Sequence, residues 1–181
     1  MRVIIAGVPG AGKTSIMKEV SGKTNHRIVN YGTVMLEIAR ERGLAEDRDS
    51  IRTLPISLQK ELQKDAARRI GAMDDIIVDT HLTIKTPSGY FPGLPEWVLK
   101  ELRPELIVVV EANPHEIVRR RRSDTTRRRD FETYEDIEEH LKANRYAAFA
   151  CSVLTGAPVM ILNNRDGMLE QSVARFLEAF K

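Results

Sequence analysis

Cysteine is almost missing from this chain: Cys151 is the one thiol in 181 residues, so no internal disulfide can form. That usage fits a reducing compartment, and the helical apolar setting of Cys151 reads as inert packing. Aromatic residues reach only 6%, and no stacking platform for single-stranded nucleic acid stands out. No apolar run approaches the ~20 residues needed to cross a bilayer. The N-terminus enters directly as a strand, without the basic and apolar regions of a secretory leader, so a cytoplasmic protein is expected. Charge of one sign is missing as well. With 28 Lys and Arg against 26 Asp and Glu, the net +2 gives no global field toward nucleic acid or membrane. The histidines His26, His115 and His140 show no metal-ligand spacing, and no zinc site is expected. Repeats, low-complexity tracts and long linkers are absent, and one domain over residues 1–181 is expected.

What the chain has is a run of eight residues, Gly7-Val8-Pro9-Gly10-Ala11-Gly12-Lys13-Thr14, that fits G-x-x-x-x-G-K-[ST]. Arg2-Val3-Ile4-Ile5-Ala6 before it reads as a buried strand, and Ser15 to Val20 after it reads as a helix. Glycines let successive N–H groups turn inward around an anion, and the helix N-terminus adds positive potential. Lys13 can reach the β- and γ-phosphates and the Thr14 hydroxyl can sit on Mg²⁺. Residues Gly7 to Ser15, with Val8, Pro9, Gly10, Ala11 and Gly12 between, are thus expected to hold a nucleoside triphosphate.

The rest alternates short β-branched runs with helical patterns, the signature of a parallel sheet. Strands are expected near residues 2–6, 27–30, 76–79, 106–110 and 159–162. Helices are expected at 12–21, around Val34–Ala39, at 55–72, 96–102, 114–122 and 133–154, with a closing one through Phe176 and Phe180. Residues 45–53 read as a polar stretch. Residues 80–95, with Pro87, Gly89, Pro92, Gly93 and Pro95, read as an irregular loop. Five parallel strands with helices on both faces bind ligands beyond the strands' carboxyl ends. The loops beginning at Tyr31, Thr80, Glu111 and Asn163 should therefore meet the phosphate loop there.

Asp79 ends the third of these strands, where a carboxylate can hold Mg²⁺ opposite Thr14. His81 follows at the start of the loop, either structural or in contact with a second substrate. Seven arginines lie between Arg119 and Arg129. Four in a row wrap almost all round a helix, so only one or two of Arg119 to Arg122 can face one ligand. The others form a solvated face. Arginine's planar fork suits phosphate oxygens. Arg145 needs a charged partner, either phosphate or Glu138 or Glu139.

Several blocks together resemble the archaeal-type adenylate kinases among the P-loop nucleoside monophosphate kinases. They are Gly7–Thr14, Asn30-Tyr31-Gly32-Thr33-Val34-Met35, Asp47-Arg48-Asp49, Val78-Asp79-Thr80-His81, Thr83-Ile84-Lys85-Thr86-Pro87, Gly89 to Pro95, Thr126-Arg127-Arg128-Arg129-Asp130 and Asn144-Arg145. The resemblance spans nearly the whole chain. It implies a three-layer α/β/α P-loop NTPase fold with a five-stranded parallel sheet, a helical AMP-binding insertion near 31–70 and a short lid near 119–131. It implies ATP + AMP ⇌ 2 ADP with Mg²⁺ as cofactor, partners limited to ATP, AMP and ADP, and a homo-oligomer, often a trimer. Carried onto these positions, Tyr31, Gly32, Thr33, Arg52 and His81 become AMP-site candidates. Lys13, Arg119, Arg127, Arg129 and Arg145 become candidates for neutralising the transferring charge, and Thr14 and Asp79 for the metal. Common bacterial and eukaryotic members have Asp-Gly-Phe-Pro-Arg after the third strand, whereas here the run is Asp79-Thr80-His81-Leu82. The AMP-phosphate contact must then come from Arg52, Lys85 or another segment's arginine.

Three other readings are weighed beside it. A P-loop kinase for another nucleoside monophosphate or a small metabolite differs only in pocket shape. A GTPase would use Asn163-Asn164-Arg165-Asp166 to read guanine, but that run lacks the lysine, and 79–82 lacks the switch glycine. An arginine-rich RNA-binding module lacks the aromatics.

Overall fold

The computed structural model describes residues 1–123 and 132–181. In chain order the elements are β1 (Arg2–Gly7), α1 (Lys13–Val20), β2 (Arg27–Asn30), α2 (Tyr31–Glu41), α3 (Arg48–Thr53), α4 (Ile56–Gly71), β3 (Ile76–Asp79), β4 (Thr83–Thr86), β5 (Gly89–Pro92), α5 (Glu96–Leu102), β6 (Leu106–Glu111), α6 (Pro114–Ser123), α7 (Tyr134–Thr155), β7 (Val159–Asn163) and α8 (Leu169–Glu178). Five strands form one parallel sheet in the order β2-β3-β1-β6-β7. This is the α/β architecture the alternating pattern predicts.

Strands β1, β3 and β6 lie inside the sheet, and their continuous apolar runs suit burial on both faces. Side chains alternate between two cores. Ile4, Ala6, Val78, Ile107 and Val109 pack toward α2, α4 and α5. Val3, Ile5, Ile77, Val108 and Val110 pack toward α1, α6 and α8. Each such Val or Ile contributes roughly 1.5–3 kcal/mol by leaving water. Helix α7 belongs to both cores. Ile137 and Leu141 in its first half join the second, whereas Ala148 and Cys151 in its last half join the first. It therefore crosses the rim of the sheet, and its middle meets the carboxyl ends of the strands.

Two expectations need correction. Residues 80–95 hold a regular antiparallel hairpin, with Ile84 opposite Phe91 and Lys85 opposite Tyr90. Its prolines sit where they cost no ladder bond: Pro87 is in the turn and Pro92 ends β5. The polar stretch 45–53 contains α3, started by Asp47, whose carboxylate accepts from the Ser50 N–H. Most of the lid expected at 119–131 lies outside the described residues.

Candidate active site

The phosphate loop is shaped from outside by three side chains. The carbonyls of Pro9, Gly10 and Ala11 accept from Arg121 Nε at 2.8 Å, Arg120 Nη1 at 3.2 Å and Asn164 Nδ2 at 3.1 Å. The Ala11 N–H donates to the Val8 carbonyl at 3.1 Å, and the loop's other N–H groups with the start of α1 make a setting that favours an anion. Gly12 has φ +93°, and a Cβ there would lie 2.1 Å from Asn164 Nδ2, so both backbone and space demand glycine.

Strand register brings the second half together. Asn30 pairs with Asp79 across β2 and β3, and Asp79 pairs with Ile5 of β1. Lys13, at the first turn of α1, forms an ion pair with Asp79 Oδ1 and donates to the Thr80 carbonyl at 3.2 Å. Both charged side chains are mostly buried, at 14% and 13% exposed. The other Asp79 oxygen accepts from Asn30 Nδ2 at 2.7 Å. Asn30 is also the N-cap of α2: its Oδ1 accepts from Thr33 N at 3.0 Å and Thr33 Oγ1 at 3.1 Å. Arg48 Nη2 donates to the same Oδ1 and to Thr33 Oγ1, each at 2.9 Å. Among the described residues no carboxylate pairs with Arg48. An arginine held only by neutral oxygens beside a helix N-terminus is poised for an anion.

The other candidates are placed unevenly. Arg52 is 80% exposed and pairs with Asp49 on the outside of α3, away from this network. Arg48, at the start of the same helix, is the arginine of α3 that joins this network. Tyr31 has its side chain buried and donates its hydroxyl to the Gln63 carbonyl at 2.5 Å, tying α2 to α4; burial raises its pKa. Only its backbone is left for a ligand. Gly32 and Thr33 do lie against Arg48. His81 meets water at the crevice mouth, yet protein crowds it. That desolvation, then the Lys13 ammonium, lowers its pKa to about 4. It is neutral at pH 7.

Of the arginine run, Arg119 and Arg120 both pair with Asp166, and Arg121 pairs with Glu132. Hydrogen bonds from Arg120 and then Arg119 lower the Asp166 pKa. Arg120 and Arg121 are thus the members that touch the phosphate loop, while Arg119 stays 65% exposed. The buried Ile117 fixes the roll of α6, and sequence alone could not supply that. Arg127 and Arg129 lie outside the described residues. Arg145 pairs with neither Glu138 nor Glu139. It makes a bidentate bond to Glu111 at 2.6 and 2.5 Å, because mid-helix α7 passes the end of β6.

Beyond Gly12 and the exposed Ser15, a cavity of about 210 Å³ is lined by Arg120, Asn164, Arg165, Asp166, Gly167 and Leu169. A larger groove of about 440 Å³ lies between α1 and α8 and includes no loop residue. Volume alone therefore does not mark the site. Among the described residues no cluster of three or more His, Cys, Asp or Glu could cage a metal. The donors here, the Asp79 carboxylate and the exposed Thr14 hydroxyl, are hard oxygens. They fit an Mg²⁺ that brings phosphate and water ligands with it.

The chain is similar to known proteins along nearly its whole length. Residues 6–138 match the family model described as AAA domain. An adenylate kinase from Methanocaldococcus jannaschii is 51% identical, covering 99% of this chain and 97% of its own. One from Methanopyrus kandleri is 52% identical with the same coverage. One from Thermoplasma volcanium is 48% identical over the full length of both chains. Among solved structures, shikimate kinase from Acinetobacter baumannii in complex with shikimate has a TM-score of 0.64 at 12% identity, covering 98% of this chain and 91% of its own. At that identity the likeness shows the fold alone.

Proposed function

This chain belongs to the adenylate kinase family, an enzyme interconverting ATP and AMP with two ADP, and from that premise we propose how its residues divide the reaction. The observation that carries the assignment is the unbroken line Lys13–Asp79–Asn30–Arg48. It joins the donor's phosphate loop to an acceptor cation within one crevice.

ATP lies with its phosphates along Gly7 to Ser15 and its base toward the cavity at Arg120 and residues 164–167. Asp166, already engaged by two arginines, is not left to read guanine. AMP enters over the start of α2, with its phosphate on Arg48 and the exposed Thr33, beside Gly32 and His81. Helices α2 to α4, within residues 31–70, form this acceptor region of a single 1–181 domain, and a lid spans 119–131. Lys13 leaves Asp79 for the β- and γ-phosphates. Mg²⁺, held by Thr14 and Asp79 through oxygen, supplies charge neutralisation when bound. The acceptor phosphate is already ionised at neutral pH, so its oxygen attacks the γ-phosphorus without a general base while the bond to the β–γ bridging oxygen breaks and the donor leaves as ADP. Lys13 stabilises the charge on the transferring group, aided by the edge of Arg145 that Glu111 leaves open. Arg119, Arg127 and Arg129 complete the set of cations assigned to that charge.

The enzyme works in the cytoplasm as a homo-oligomer, a trimer in this reading. Support comes from α7, where Tyr146, Phe149, Val153 and Leu154 stand 73%, 52%, 85% and 61% exposed along one side.

Product analysis tests the reaction. Mixed with Mg-ATP and AMP, the protein forms two ADP for each AMP consumed. Lys13→Met retains the fold and loses kcat by about a hundred-fold or more. ADP formation with CMP or shikimate but not AMP would overturn the acceptor assignment.

A further inference from the structure

We infer that Asn30 is a positioning residue that sets both halves of the transfer site at once, holding Asp79 on the donor side and Arg48 on the acceptor side. The inference rests on the reading above that Arg48 receives the AMP phosphate and Asp79 faces the donor.

The argument begins with what one amide can do. Asn30 Nδ2 donates to Asp79 Oδ2 at 2.7 Å, and its Oδ1 accepts from Arg48 and Thr33 at 2.9 to 3.1 Å. Turning the amide over would set an oxygen against the Asp79 carboxylate and N–H groups against the Arg48 guanidinium. Both contacts would repel, so the network permits one orientation only. Among the described residues Asp79 has two side-chain partners, Lys13 on one oxygen and Asn30 on the other. Binding of ATP draws Lys13 toward phosphate. Asn30 is then the partner that keeps the carboxylate from swinging. Arg48, reaching from α3 across the start of α2, has no carboxylate to seat it among the described residues. Asn30 Oδ1 and Thr33 Oγ1 form that seat.

Capping α2 does not by itself require asparagine. Serine, aspartate and asparagine cap helices about equally well. Aspartate has no donor for a carboxylate, and serine has a single oxygen on a shorter side chain; asparagine caps Thr33 with one atom and reaches Asp79 with another. That difference separates a positioning role from a structural one.

The experiment compares Asn30→Ser and Asn30→Asp with the wild type. Melting temperature reports the cap, AMP affinity in metal-free buffer reports Arg48, and kcat with both substrates reports the assembled site. Both variants should keep one cooperative unfolding transition, because the cap survives, with Asn30→Ser a few degrees below wild type for the hydrogen bond lost to Asp79 and Asn30→Asp lower still for the facing carboxylates. In Asn30→Ser, AMP should bind at least about five-fold more weakly without metal, and kcat should fall about ten-fold or more, the effect of losing a hydrogen bond to a charged group. Asn30→Asp, which sets two carboxylates face to face, should lose more kcat than Asn30→Ser. In an Asp79→Asn background the Asn30→Ser step should cost less kcat than in the wild type, since the share carried through the Asp79 carboxylate is gone and only the share through Arg48 remains.

AMP affinity and kcat within two-fold of wild type in both folded variants would overturn the inference. So would equal losses in the presence and absence of the Asp79 carboxylate. Arg48→Ala separates this from the underlying reading. If Arg48 does not hold the acceptor phosphate, Arg48→Ala binds AMP as the wild type does. If only the Asn30 inference fails, Arg48→Ala binds AMP weakly while Asn30→Ser binds it normally.

Discussion

At Gly12 two demands fall on one residue: the backbone stands at φ +93°, and the side-chain space is filled by Asn164 Nδ2. Gly12→Ala therefore strains the backbone by roughly 1–3 kcal/mol and displaces the amide that holds the Ala11 carbonyl outward. The expected result is a melting temperature lower by several degrees and ATP binding weakened about ten-fold or more, read by thermal unfolding and calorimetry. Wild-type affinity in this variant would show that Asn164 does not shape the loop. At this scale the sequence was legible in unequal measure. Lys13, Thr14 and Asp79 declare themselves through motif and strand end. Arg48 does not, because it and Arg52 lie on one short helix and nothing in the pattern says which end turns toward Asn30. Glu111 was missed as the partner of Arg145 because 34 residues separate them. Only the passage of α7 across the rim brings them together.

Among the elements, α7 holds its N-terminus by two linked devices. Thr133 and Asp136 form a reciprocal capping box, and Asp136 also accepts from Lys85 of the hairpin at 2.8 Å. The Lys85 hydrogen bond, followed by those from Thr133, lowers the Asp136 pKa from 3.8 to about 2. A carboxyl group depressed on folding stabilises the folded state above its unfolded pKa and ceases to do so as protons bind. The contribution is complete above about pH 3.8 and disappears on the way down to about pH 2. Asp136→Asn should thus be less stable than wild type at pH 6, and the gap should shrink below pH 3.8. Urea denaturation at several pH values measures it, and a gap that stays constant down to pH 2.5 would contradict the assignment. The five sheet strands were readable because buried parallel strands are runs of Val and Ile. The hairpin was not, since Thr-Ile-Lys-Thr and Gly-Tyr-Phe-Pro are short and dense in turn formers. Helix α3 escaped for a related reason: six residues give no apolar period, and its signal was the Asp47 cap.

For the whole molecule, the exposed apolar side of α7 gathers four of the large apolar side chains that meet water among the described residues. If it joins protomers, Val153→Glu places a charge in the middle of the contact. Light scattering after size exclusion should then give a single-chain mass of 20.5 kDa for the variant and a multiple for the wild type. An unchanged multiple would move the interface elsewhere, and a wild-type monomer would remove the oligomer altogether. The sheet order carries a different consequence, one that concerns synthesis. The phosphate loop leaves the ribosome well before the groups that hold it, on the strand that ends up in the middle of the sheet. Its neighbouring strands start at Ile76 and Leu106, and the groups that turn its carbonyls outward are Arg120, Arg121 and Asn164. Contacts so distant in sequence close late. A nascent chain stalled before residue 120 therefore carries the whole nucleotide-binding motif without any of the three side chains that hold its carbonyls, and ATP can assist only the later stages of folding.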